Sequence, residues 1–256
     1  MPDLQHLSYS SISTFLACPK SWEFRYVLKV ETPTSPELVF GSSFHDTVEQ
    51  IVAGRSAAGE IATTWTTNWQ RRTEGQQIDW GTDTPEYFCN EGVRILTAEP
   101  IRQAIHELTC GMDAEGPKVE RKVTLSVPGV PVPIIGYIDL IDHRGVPHDL
   151  KTSGRSWTAD KAQSELQPLF YLAALNQAGI RVPNLEFTHV VFVKTKTPQV
   201  QVLRHRHTMP ELVWLMTLIG KAWKAIESEA YFPNPGSWKC SPQWCEYWRL
   251  CRGKYL

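Results

Sequence analysis

Residues Gly136–Gly154, GYIDLIDHRGVPHDLKTSG, read as two β-strands joined by a tight connection at His143-Arg144-Gly145. Asp139 lies on the first strand, and Asp149-Leu150-Lys151 on the second. Antiparallel neighbours bring such side chains within a few ångström of each other when their registers agree. Two carboxylates converging without a counter-charge are costly unless a divalent cation neutralises them. Alternation puts Asp149 and Lys151 on one face, while Leu150 turns to the core and keeps its backbone carbonyl available as a ligand. Beside a metal, Lys151 can orient a water or help take its proton for in-line attack on a phosphodiester. Taken alone, an Asp-x-Lys triplet is far more often an exposed ion pair on an ordinary strand, so support must come from its surroundings.

Outward from this hairpin, the periodicity changes on both sides. Val119–Val127 alternates as a preceding strand, and Val132–Ile141 is the strand that carries Asp139. Pro147–Lys151 is followed by a predicted helix over 159–177, strands over 187–194 and 200–207, and an amphipathic helix over 209–229. Upstream, Ser10–Ser13 can cap a short helix carrying Ile12, Phe15 and Leu16, a second helix is expected over 42–53, and 59–108 is helical with a break near Gly81. The expected architecture is α/β: a mixed sheet flanked by helices with a helical N-terminal addition. A single domain over 1–256 is expected, mainly helical over 1–116, an α/β core over 117–208, and a terminal helix with a cysteine-bearing segment over 209–256.

Four further features accompany the hairpin. Gln167 and Tyr171 are i and i+4 on the following helix, where one phosphate or base could meet both. Gly41-Ser-Ser-Phe-His45 opens the early helix, and a neutral His45 could complete a metal shell or contact a substrate. Glu120, at the start of the first strand, could add a carboxylate, or Glu120-Arg121-Lys122 is a solvated charge run. Lys194, Lys196 and the run Arg204-His205-Arg206-His207 are phosphate contacts or an exposed charged strand edge.

The ordered set G-x-x-x-H, an acidic residue on the first strand, G-x-x-D, D-x-K-T and Q-x-x-x-Y resembles RecB-like PD-(D/E)XK nucleases, a group with members in RecB and AddB, in CRISPR adaptation and in phage recombination. The resemblance runs from Cys18 to Cys251 and implies a restriction-endonuclease-like core. It implies metal ligation by His45, Asp139, Asp149 and the Leu150 carbonyl, water activation by Lys151, DNA handling by Gln167 and Tyr171, and Mg²⁺ or Mn²⁺ as cofactor.

Cys240, Cys245 and Cys251 form C-x4-C-x5-C, and Cys18 is the best candidate for a fourth ligand. Thiolate-only ligation suits an iron–sulfur cluster and also zinc. The resemblance implies a [4Fe-4S] cluster joining the N- and C-terminal segments, although here the first gap of the trio is two residues longer than the family's usual C-x2-C-x5-C. Cys89 and Cys110 are expected as buried thiols. Arg25, Tyr26 and Lys29, beside Cys18, could line a path for a DNA strand.

Composition bounds these expectations. Net charge is -1, so no global positive field advertises a nucleic-acid partner, although a local groove can still be basic. The start, MPDLQHLSYSSIST, has neither the basic nor the apolar region of a signal peptide, and no apolar run spans a bilayer. The expected setting is therefore the cytoplasm of a prokaryote or a phage-infected cell, with no membrane partner. The expected activity is metal-dependent DNA hydrolysis, exonucleolytic on single strands or free ends. The alternatives are a processing subunit that needs a protein partner in a recombination or CRISPR complex, and a noncatalytic nucleic-acid-binding protein with a structural cluster.

Overall fold

The structure, a computed structural model, describes residues 4–255. In chain order its helices are α1 (Tyr9–Ala17), α2 (Pro19–Trp22), α3 (Pro36–Val52), α4 (Ile61–Thr73), α5 (Pro85–Leu96), α6 (Glu99–Glu107), α7 (Ala159–Ser164), α8 (Leu166–Gln177) and α9 (Met209–Glu227). Its strands are β1 (Leu7–Ser8), β2 (Met112–Asp113), β3 (Gly116–Pro117), β4 (Val119–Leu125), β5 (Ile134–Ile141), β6 (Pro147–Ser153), β7 (Glu186–Val193) and β8 (Gln199–Arg206). No helix among the described residues is long and apolar enough to cross a membrane. Two compact units emerge: one gathers the chain up to Thr32, Thr124–Gly136 and everything from Met209 onward, and the other comprises Pro33–Val123 and Tyr137–Thr208.

In the larger unit, β5, β6, β7 and β8 lie in that order, and β4 pairs with β5. The β5–β6 and β7–β8 pairs are antiparallel, whereas β6 and β7 run parallel, as a crossover through α7 and α8 requires. All eight residues of the central strand β7 are buried. On one face, Leu150, Val190 and Phe192 join Phe40, Phe44, Trp65, Trp69, Ile95 and Ile101 from the helices in one apolar cluster. Phe44 of α3 meets Phe192 at 5.0 Å, which seats this helix on the sheet.

Local chemistry sets the helix starts. Ser35 accepts the Leu38 N–H, and Pro36 occupies the first helical position. Thus α3 begins before the expected Ser42, whose hydroxyl instead donates to the Leu38 carbonyl within the helix. The expected continuous helix over 159–177 is two helices separated at Glu165, whose ψ is 135°. Pro168 cannot donate to the carbonyl of Ser164, so the chain stops and restarts, placing the proline in the first turn of α8. Cys89 and Cys110 are partly rather than fully buried, and Cys110 lies 3.6 Å from the Val52 carbonyl.

In the smaller unit, β1 runs parallel to the start of β5, pairing Leu7 with Ile134 and Ser8 with Ile135. Trp22, fully buried, donates from its indole to Ser11 and packs on Tyr231, joining the first helices to the chain after α9.

Gly92 of α5 abuts the buried Trp65, where a Cβ would lie 2.0 Å from the indole ring. Gly92→Ala should therefore destabilise the larger unit by about 1–3 kcal/mol or more, read as a lowered melting temperature in thermal denaturation.

Candidate active site

The larger unit holds the hairpin residues. The β5–β6 register pairs Leu140 with His148 and Ile141 with Pro147. Beyond those pairs, the Leu150 N–H is taken at 2.6 Å by the carboxylate of Asp139. A side chain here does the work of a strand carbonyl, and it points the Asp139 carboxylate at β6. Leu150 is buried in the apolar cluster, so the residues on either side of it, Asp149 and Lys151, face the opposite side of the sheet.

Asp149 is 1% exposed. Lys151 Nζ donates to its Oδ1 at 2.9 Å and stands 2.7 Å from Oδ2, off the hydrogen-bonding direction. Oδ2 is thus buried without a hydrogen-bond donor. The same ammonium donates to Gln167 Oε1 at 2.9 Å, Gln167 Nε2 donates to the Tyr171 hydroxyl at 2.9 Å, and that hydroxyl donates to the Tyr137 carbonyl of β5. Gln167 and Tyr171 therefore share a face as expected, with Tyr171 buried and its hydroxyl engaged with the protein.

Charge in this group is unbalanced. Burial and the neighbouring Asp149 hold the Asp139 carboxyl well above the usual carboxylate range. Glu120 is raised by burial and by Asp139 and Glu49, and its backbone takes the left-handed φ of 48°, unusual for a glutamate in a strand. His45 lies 3.6 Å from Asp139 Oδ2, and burial with the nearby Lys151 lowers its pKa, leaving the imidazole neutral with a lone pair. Burial pulls Lys151 down, but Asp149 and Asp139 outweigh it and keep the ammonium. Burial and the carboxylates raise Tyr171, which stays a phenol.

Among the described residues, no three His, Cys, Asp or Glu side chains are placed to hold a metal ion. The donor set still fits one: a buried acceptor oxygen without a donor, a second carboxyl raised by crowding, and a neutral imidazole beside it are what a divalent cation would satisfy.

The remaining candidates are dispersed. Lys194 sits 4.4 Å above the Phe40 ring, and burial lowers its pKa despite Glu37 and Glu91. Lys196 and Arg204 are exposed, the former offering its carbonyl to Arg94. Arg25 belongs to the smaller unit, where it pairs with Glu246 at 3.0 Å. The run 204–207 is an exposed charged edge only at Arg204 and Arg206, because His205 and His207 turn inward and are buried. With His189 they form a buried row behind Asp149 that the sequence analysis does not single out, although alternation at 205 and 207 on a β-strand is its signal.

In the smaller unit, burial raises the Cys245 thiol, with Cys18, Cys240 and Cys251 adding to the shift, and no three of these cysteines are placed to hold a metal ion among the described residues. The Asn234 N–H donates to Cys18 Sγ at 3.5 Å, and its side-chain amide donates to the Ala17 carbonyl at 3.0 Å.

Comparison with known proteins bears on the fold and the family. No curated protein matches the chain. A solved structure from Eubacterium rectale, described as "Putative exonuclease", superposes with a TM-score of 0.61 at 12% identity, covering 98% of this chain and 89% of that one. At that identity the likeness speaks to the fold. A second structure, SSO0001, aligns with a TM-score of 0.39 at 14% identity over 95% of this chain and 96% of that one, too slight a likeness to argue from. The profile of the PD-(D/E)XK nuclease superfamily matches residues 6–252, and with the mixed sheet and the Asp139/Asp149-x-Lys151 hairpin in place, the chain belongs to that superfamily.

Proposed function

We propose that this protein is a metal-dependent deoxyribonuclease acting on single strands or free DNA ends, with its active site at the opening between β5 and β6. The observation that carries the proposal is the convergence of Asp139 and Asp149 there, with Lys151 and Gln167 hydrogen-bonded alongside. Asp139, Asp149, the Leu150 carbonyl and His45 would hold Mg²⁺ or Mn²⁺, and Glu120 would add a carboxylate. Such a cation supplies Lewis acidity toward the phosphate and lowers the pKa of water. Lys151, an ammonium in this arrangement, orients the attacking water and offsets negative charge that develops on the phosphate. Gln167 fixes the lysine, and Tyr171 fixes Gln167 by anchoring to the Tyr137 carbonyl. Lys196 and Arg204, both exposed, would meet backbone phosphates.

The same proposal includes a [4Fe-4S] cluster on Cys18, Cys240, Cys245 and Cys251. The influence of Cys18, Cys240 and Cys251 on Cys245, with a backbone N–H on Cys18 Sγ, supports it, and zinc is the alternative occupant. Its role would be to fasten the chain's first and last segments.

End-labelled single- and double-stranded DNA should be degraded in Mn²⁺ or Mg²⁺ and spared in EDTA. Asp149→Ala and Lys151→Ala should each reduce cleavage by about a hundredfold or more while the protein stays folded, and full activity in either purified variant would overturn the assignment. Without metal, Asp139→Asn should raise the melting temperature. The native carboxyl holds its proton to higher pH than the unfolded one, so wild-type stability falls as pH rises through that window, and the variant should gain more at about pH 8 than at about pH 5. Anaerobically purified protein should carry about four irons with matching sulfide per chain. Cys245→Ser should lose that iron and melt earlier, and stoichiometric zinc instead would rule the cluster out.

A further inference from the structure

The parallel register of β6 and β7 sets His189 beside Asp149 on the same face of the sheet. His189 is fully buried between Trp157 and Phe187, with ring centroids at 5.3 and 5.2 Å. Its Nε2 is buried without a hydrogen-bond partner, and so is Asp149 Oδ2, 3.9 Å away. A buried nitrogen without a partner thus faces, just beyond hydrogen-bond length, a carboxylate oxygen in contact with the Lys151 ammonium at 2.7 Å. Left unpaired, that nitrogen would be a costly defect.

Which nitrogen of His189 carries its proton follows from the row behind it. Gln163 approaches the Arg206 carbonyl at 3.1 Å, and since a carbonyl only accepts, the Gln163 group there must be its NH₂. That same nitrogen lies 3.4 Å from His207 Nδ1, which assigns the acceptor role to this ring atom. With Nδ1 accepting, the His207 ring proton sits on Nε2, which donates to His205 Nδ1 at 2.9 Å. His205 in turn carries its proton on Nε2 and donates to His189 Nδ1 at 2.9 Å. His189 is left with its proton on Nε2, the atom that faces Asp149. Burial, opposed at His189 by Asp149 and reinforced at His205 by the neighbouring rings, pushes both rings down to about 4.

We propose that His189 is a positioning residue for Asp149, locked as the Nε2–H tautomer by the His205–His207–Gln163 chain so that its ring N–H fixes the outer carboxylate oxygen. A carboxylate that loses the Lys151 ammonium to a cation or a phosphate would keep one donor and its orientation. The inference rests on Asp149 being a metal ligand, as proposed above, and outer partners of that kind typically tune the affinity of the site.

The tautomer can be read in the wild-type chain without any variant. Multiple-bond ¹H–¹⁵N spectra of metal-free, ¹⁵N-histidine-labelled protein should show the His189 proton on Nε2, with Nδ1 bare. A bare Nε2 would overturn the proposal. Calorimetric titration with Mn²⁺ then tests the consequence. His189→Leu should weaken binding by about tenfold or more, and His189→Gln, whose amide can present an N–H toward Asp149, should recover most of that loss. If Asp149→Ala abolishes Mn²⁺ binding while His189→Leu binds as wild type does, the positioning role fails and the active site stands. If Asp149→Ala itself binds Mn²⁺ normally, the active-site assignment fails first.

Discussion

Two carboxylates meet where β5 and β6 part, and the arrangement of the larger unit follows from keeping them there. Asp139 takes over a backbone duty by accepting the Leu150 N–H, so it cannot turn away without leaving a buried amide unpaired. Asp149 is held by Lys151, Lys151 by Gln167, Gln167 by Tyr171, and Tyr171 by the carbonyl of Tyr137, two residues before Asp139. The path leaves β5, crosses β6 and α8, and returns to β5. Such a closed circuit makes each member's geometry depend on the others, which is how a site acquires rigidity from polar contacts.

The cost of that polar circuit is borne by the other face of the sheet. Leu150, between Asp149 and Lys151, lies in the same cluster as Val190 and Phe192, with Phe44 of α3 against Phe192. Each such side chain contributes about 1.5–3 kcal/mol on full burial, whereas crowded carboxyls subtract from stability. The strand is pinned by its apolar side so that its polar side can remain unsatisfied. Phe44 also sets the next residue, His45, within 3.6 Å of Asp139, so one packing contact serves both faces of the argument for α3.

Much of this could be read from residue order, because the relevant physics is local. Alternation at 149, 150 and 151 separates carboxylate, apolar anchor and lysine, and i, i+4 spacing joins Gln167 to Tyr171. Local signals also compete. Ser42 resembles a helix cap, but Ser35-Pro36 is the stronger start, and Pro168 splits a helix whose apolar pattern looks unbroken. The inward row of His189, His205 and His207 depends on the pairing of β7 with β8, and a histidine between arginines looks like surface until that register is known. The grouping of the first 32 residues with the chain from Met209 onward is likewise a product of contacts far apart in sequence.

Those distant contacts bear on what a cluster at the four cysteines would add. Arg25 pairs with Glu246, Thr32 donates to the same carboxylate, Phe24 meets Tyr247 at 5.2 Å, and Asn234 holds the end of α1. Packing and hydrogen bonds therefore already specify how the two chain ends meet in the smaller unit. A group ligated by Cys18 and the terminal trio would close a loop from Cys18 to Cys240 and restrict the unfolded chain more than it reshapes the folded one. Its contribution would then lie in resistance to unfolding, since the contacts that join the two chain segments are in place without it.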